Sequence, residues 1–513
     1  MSFRFVHFFT LIVYSVFLNA QFNGRTPNIR QSISEYNQLL HKSEGMSRNE
    51  LIHLLTQNNL LQLHNFNLSY TNGIGEFIHF KNAFHYAIGR SDIPRSQTPA
   101  EYLVSVIQKY ESEGKTRVGI VYYDAFVPGA ETPSADFDPF SELQKPDKQR
   151  KEYRSLHAFM RIYYLSSQQL ITHTSTATYK QLYALEIQMR DELNDDSGSQ
   201  SVSARGAAIS KAGEVETARV KPGALSRLSS ILLPKPIRDG LIRDSINALI
   251  VIPYENIGQL PFLAFPFEKD TIKSAVADYM CVTIAPHLCN YNRVFGANQS
   301  RIGKQNAMVS RNPIIIGNPV YAQTAGMEFP DLPGAEDEAR KVAAFLHTSP
   351  LLGKSARVDT VLHRLKNADF GYFATHAVPD YSNPAGKSFL ALTPDIKHPT
   401  GWLNIEEIQE ITNNRLKLVV LSACQTGIGK AYKNGYCNIG RGFFIAGTDN
   451  ILMSLWNLND RDMVPFMQTV MEELAKPQYF YPAENLRQAV LRYRRINPNP
   501  AVWAAMVKFG IDY

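Results

Sequence analysis

Cysteine is scarce. The 513 residues hold four: Cys281, Cys289, Cys424 and Cys437. So few thiols exclude a disulfide-built scaffold, and their spacing excludes paired CxxC zinc knuckles. A pairing of Cys281 with Cys289 stays open in an oxidising compartment. Charge of one sign is also in short supply. Lys and Arg number 53 against 47 Asp and Glu, a net charge of +6. No basic stripe forms, so no nucleic-acid partner is indicated. Disorder is excluded by 44% hydrophobic and 19% charged residues. No helical repeat of about 34 residues recurs. G-x-S-x-G and H-E-x-x-H are both missing. Gly429-Lys430 follow an apolar run, but a phosphate loop needs Gly at 424 and Ser or Thr at 431, where Cys424 and Ala431 stand. The sequence therefore calls for no metal and no organic cofactor.

Long apolar runs are confined to the start. Residues 1–21 read MSFRFVHFFTLIVYSVFLNAQ, with Arg4 as a short positive region and Ala20 at a cleavage position. This is the layout of a secretory signal peptide over residues 1–20. The run falls short of the ~20 residues a spanning helix needs. An uncleaved anchor or a buried N-terminal helix is the alternative. With the leader removed, the sequence predicts an exported chain, periplasmic or extracellular, with no stable membrane span.

The rest divides by texture. Residues 21–95 are helical and polar, with apolar residues at helical spacing over 31–40 and 48–63. Residues 96–222 form an intermediate region. A helix opens at Pro99, and two strands are predicted over 117–126 and 160–171, rich in aromatic and β-branched residues. A long Pro/Asp/Lys-rich loop separates them. After a helix over 178–193, a Ser/Gly/Ala-rich stretch over 194–221 reads as a linker, and its Arg205, Lys211 and Arg219 mark it as a candidate for self-processing. From 223 to 513 short apolar strands alternate with amphipathic helices. Strands are expected at 248–252, 313–316, 371–375, 418–422 and 451–458, and the chain from 461 to 509 reads as mostly helical. The fold class is α/β: a mostly parallel sheet flanked by helices, preceded by a smaller, mostly helical region. In such sheets function sits at the carboxyl ends of the strands.

Two of those ends carry chemistry. The strand 371–375 runs into His376, and the strand 418–422 runs into Ala423-Cys424-Gln425-Thr426-Gly427. Either residue alone would read as packing or a loop position. Together, 48 residues apart, they match the caspase arrangement of a His about 50 residues upstream of a nucleophilic Cys. A thiol of ordinary pKa, ~8.5, is mostly protonated at neutral pH and needs a base. His376 is that base, and later the acid that protonates the leaving amine. The backbone N–H groups of Ala377 and Cys424 are the candidate oxyanion donors.

The same half of the chain resembles the CHAT family. These are caspase-like peptidase domains often found beside tetratricopeptide repeats and related to separase in clan CD. The matching segments run in order: residues 248–265 (ALIVIPYENIGQLPFLAF), Gly317-Asn318-Pro319, Leu332-Pro333-Gly334-Ala335-Glu336, residues 371–377 (GYFATHA), residues 419–427 (VVLSACQTG), Ser454-Leu455-Trp456 with Asp460, and residues 502–506 (VWAAM). The resemblance covers 223–513 and implies a caspase-like fold and a cysteine endopeptidase with a His376–Cys424 dyad. It also implies that Asp460, with Asp462 beside it, faces a basic P1 side chain, although Asp460 equally suits an N-cap of the following helix. Ala377 stands where the family has Gly. That departure favours the alternative, a weak or latent scaffold that binds a regulatory protein partner. The partner otherwise implied is a protein or peptide substrate.

Overall fold

The computed structural model describes residues 29–42, 46, 48–58, 60, 63, 99–113, 116–126, 158–195, 223–267, 271–285, 310–322, 327–380, 384–411, 415–432, 435–457, 460–476 and 481–510. The leader expected over residues 1–20, most of the long loop between the first two strands, nearly all of the 194–221 stretch and Cys289 lie outside the described residues.

Eleven strands form one sheet. In chain order they are β1 (Val118–Phe126), β2 (Phe159–Leu165), β3 (Leu170–Thr178), β4 (Ala248–Ile252), β5 (Cys281–Ile284), β6 (Pro313–Pro319), β7 (Leu351–Gly353), β8 (Phe370–Ala374), β9 (Leu418–Leu421), β10 (Asn450–Ser454) and β11 (Met506–Gly510). Across the sheet the order is β3-β2-β1-β4-β5-β11-β10-β9-β8-β6-β7. The helices used below are α1 (Ile29–Lys42), α2 (Arg48–Gln57), α3 (Pro99–Glu113), α4 (Tyr179–Asp195), α5 (Ala224–Leu232), α6 (Lys235–Arg243), α7 (Pro333–Phe345), α8 (Val358–Leu365), α9 (Ile405–Gln409), α10 (Ile439–Ala446), α11 (Asp460–Leu474) and α12 (Pro482–Tyr493).

The sheet is mostly parallel, in two sets. β7, β6, β8, β9 and β10 run one way. β11 lies antiparallel to β10 and parallel to β5, so β5, β4 and β1 run the other way. β2 and β3 close that side as antiparallel strands. The central strands are apolar because both faces are covered: every residue of β4, β5, β9 and β10 is buried. The strands of residues 96–222 are therefore in the same sheet as those after 223.

Three readings change. The strand predicted over 160–171 is a hairpin. Ser166 to Gln169 turn the chain, with the Ser166 N–H on Gln169 O at 2.9 Å. The Asp244 carboxylate fixes this turn by accepting from Ser166 Oγ (2.6 Å) and Gln169 Nε2 (2.9 Å). β5 was not expected; its CVTI is too short to stand out by pattern. β11 falls in the stretch that reads as helical, because a buried strand of five residues has no period that distinguishes it from a buried helical turn.

α7 packs on β6, β8 and α11. Its approach to β6 is close at Gly317: a Cβ there would lie 2.4 Å from Ala339 Cβ and 2.8 Å from Ala335 O. Gly317→Ala is expected to destabilise the fold by about 1–3 kcal/mol through overpacking. A urea midpoint unchanged from wild type would contradict this helix–strand contact.

Candidate active site

β6, β8, β9 and β10 are parallel neighbours, so their carboxyl ends share one edge. His376 follows β8, and Cys424 follows β9. Register sets the two strand ends side by side. Each residue of β8 pairs with the residue 48 positions later, from Phe370↔Leu418 to Phe373↔Leu421. The same 48 positions separate His376 from Cys424, each just past the carboxyl end of its strand. Both side chains are enclosed: His376 and Cys424 are each 0% exposed. Cys424 and Cys281 are buried thiols outside any disulfide.

The His376 ring is held on three sides. Its Nε2 lies 2.8 Å from Pro330 O. A carbonyl only accepts, so this contact assigns the proton to Nε2 and leaves Nδ1 as the basic nitrogen of the neutral ring. Tyr321 meets the ring edge-on, with centroids 4.8 Å apart, and Phe329 lies at 5.3 Å. Tyr321 Oη is 3.3 Å from Thr375 Oγ1, which donates to Ala391 O at 2.5 Å.

The Cys424 turn is held from β10. Ser454 Oγ donates to Ala423 O, and the Ser454 N–H donates to Thr426 Oγ1 at 3.1 Å. The Gly427 N–H donates to Ser454 O at 2.7 Å. Gln425 takes a left-handed φ of 55°, which bends the chain back under the cysteine. Asn438 Nδ2 donates to Gly427 O at 3.0 Å and Gln259 Nε2 to Gly429 O at 3.1 Å. Arg190 of α4 donates to Leu455 O at 2.7 Å and Gln259 O at 3.1 Å, with its guanidinium paired to Glu186. The loops after β9 and β10 are thus tied to the other half of the sheet.

Ala377 starts a two-residue strand (Ala377–Val378) that pairs antiparallel with Phe389–Ala391. The Ala391 N–H donates to His376 O at 2.9 Å, which makes His376–Ala391 a hydrogen-bonded pair. Pairs alternate along such a ladder, so Ala377–Leu390 is a non-hydrogen-bonded pair and the Ala377 N–H points away from it. Ala377 is not among the non-glycine residues with positive φ. Extended backbone is open to alanine, so the methyl group in place of the family's glycine forces no unusual angle.

The two acidic residues expected at the substrate lie at the start of α11. Asp460 is 1% exposed, and its carboxylate accepts the Gly334 N–H at 2.5 Å. It bridges α11 to the first turn of α7. Asp462 is exposed on α11, near enough to Tyr493 of α12 to raise that phenol together with burial, its main cause. Among the described residues, no group of three or more His, Cys, Asp or Glu is placed to hold a metal ion, and no helix is long and apolar enough to cross a membrane. The roles of Pro330, Thr426 and Ser454 escaped the sequence. All three act through a backbone carbonyl or a hydroxyl, which carry no pattern, although Ser454 and Thr426 do lie inside the family-like segments.

A model of the CHAT domain matches residues 223–511. Tetratricopeptide repeat protein 28 of Mus musculus is 25% identical over 231 residues, 39% of this chain and 9% of that protein. The Homo sapiens protein of the same name is 26% identical over 231 residues, with the same coverage. The chain thus spans about a tenth of the length of these curated relatives. Among solved structures, the Saccharomyces cerevisiae separase–securin complex is similar in fold, with a TM-score of 0.50 and 12% identity over 95% of this chain and 38% of that one.

A second polar cluster buttresses the Phe389–Ala391 strand. The Asp395 carboxylate accepts from the N–H groups of Asp359 (2.8 Å), Lys397 (2.8 Å) and His398 (2.9 Å), and faces His398 Nδ1 at 2.9 Å. Burial raises its pKa, but the donors outweigh burial and hold it down at about 2, from 3.8. A depressed carboxyl contributes stability above its unfolded value and loses it as pH falls through the folded one. Asp395 therefore stabilises the chain fully above about pH 4, with the contribution fading toward pH 2. Asp395→Asn is expected to flatten the pH dependence of urea unfolding in that window. An equal slope in the variant would contradict the hub.

Proposed function

The chain belongs to the CHAT-domain family, and we propose that it is a cysteine endopeptidase in which His376 and Cys424 form the reacting pair. The observation that carries this is that His376 and Cys424 directly follow two paired parallel strands, with the His376 Nε2 proton committed to Pro330 O. Nδ1 is then the nitrogen that takes the Cys424 Sγ proton. The thiolate attacks the scissile carbonyl carbon. Charge develops on the carbonyl oxygen, where the N–H groups of Ala377 and Cys424 stabilise it. The tetrahedral adduct collapses, His376 Nδ1–H protonates the leaving amine, and an acyl-enzyme remains. Water, deprotonated by the same nitrogen, releases the acid product and regenerates the thiol.

The burial of both side chains favours a latent resting form. Access to the buried thiol requires a movement that a protein partner or a processing event can drive. A scaffold role for the closed form is the second reading. A preference for Arg or Lys at P1 would rest on Asp460, which also accepts the Gly334 N–H, or on Asp462 beside it. The signal-peptide layout of residues 1–20 supports export of the mature chain; sequencing of exported protein should begin near residue 21, and a start at Met1 would contradict it.

Electrophilic peptide probes with basic, acidic and apolar P1 residues test the chemistry. Wild-type protein is expected to carry the label on Cys424, and Cys424→Ala to carry none. His376→Ala should slow labelling by about 10²–10⁴-fold. Equal rates for wild type and His376→Ala would remove the dyad and leave the scaffold. Preference for acidic or apolar P1 would remove the basic-P1 reading only.

A further inference from the structure

Residues 330–334 link two features of the site. Pro330 presents the carbonyl that holds His376 Nε2. Three residues later Pro333 begins α7, with Gly334 in its first turn. Two side chains pin the segment between them. Asn318, at a left-handed φ of 42° just past Gly317, accepts the Leu332 N–H on Oδ1 at 2.9 Å. Asp460, from the start of α11, accepts the Gly334 N–H on Oδ2. The second contact leaves no slack. A Cβ on residue 334 would lie 2.5 Å from Asp460 O and 2.5 Å from its Oδ2. Glycine is required there because Asp460 occupies the space.

We propose that Asp460 is a positioning residue for His376: by fixing the first turn of α7 through Gly334, it sets the Pro330 carbonyl that holds the imidazole in its Nε2–H form with Nδ1 toward Cys424. A carboxylate at a helix start is favoured both by its hydrogen bond and by the unsatisfied N–H groups there. A charge-assisted bond restrains the segment more firmly than a neutral acceptor does. The catalytic meaning of this role rests on the dyad reading; the structural role does not.

The test reads the ring itself. Full-length protein labelled with ¹⁵N-histidine gives one protonated and one unprotonated ring-nitrogen signal for His376, assigned by their loss in His376→Gln. In wild type the protonated signal belongs to Nε2. Asp460→Ala is expected to lose this single-tautomer pattern and to lower kcat with KM little changed. Asp460→Asn, with a neutral acceptor, should fall between Ala and wild type. Asp337→Asn, which removes an exposed charge from the same turn of α7 and breaks only its pair with Lys341, should match wild type. An unchanged His376 pattern in folded Asp460→Ala overturns the proposal, and so does an equal change in Asp337→Asn. Should Asp460→Ala not fold, Asp460→Asn decides: an unmoved pattern overturns it. A protein without peptidase activity whose His376 signals still respond to Asp460 would sink the enzyme reading and leave the positioning intact.

Discussion

The pairing of β8 with β9 is the constraint on which the site depends. Parallel strands cannot be joined by a tight turn, so the chain must cross over between them. Here the crossover, with the Phe389–Ala391 strand, the Asp395 hub and α9, fills the sequence between His376 and Cys424. Its length and the register agree on one offset of 48 residues. A slip of one residue would turn each side chain to the opposite face and part the two. Four fully buried residues, Leu418 to Leu421, hold that register from both faces of the sheet.

Everything else at the edge works to hold short loops still. His376 is fixed by Pro330 O and by two aromatic rings, and the Cys424 turn by Ser454 and Thr426. The remote half of the sheet takes part through Arg190 and Gln259, which reach the loops after β10 and β9. Because β11 reverses direction between the two parallel sets, the halves share a sheet without sharing an active edge. Their communication runs through these side-chain bonds to backbone carbonyls.

The parallel core was legible because buried strands such as residues 248–252 and 418–421 are apolar throughout. His376 and Cys424 were legible because both follow such runs directly. β11 was not, since five buried residues carry no period of their own, and the turn at Ser166–Gln169 was hidden inside an unbroken β-like run. Asp460 shows the limit of reading side chains by type. The family resemblance suggests a cationic ligand for it, and the sequence carried no sign that it also accepts a backbone N–H. Pro330 acts only through its carbonyl, which every residue possesses, so no sequence pattern could single it out.

The central claim is that register places residue 376 against Cys424, and a cross-link tests it directly. Neighbouring strands lie ~4.8 Å apart, within the ~4.4–6.8 Å Cα separation of a disulfide. His376→Cys, mildly oxidised in the folded state, is predicted to yield a single disulfide-linked peptide pair containing positions 376 and 424. Residue 376 remaining a thiol, or pairing with another cysteine, in protein that keeps its native melting would contradict the account.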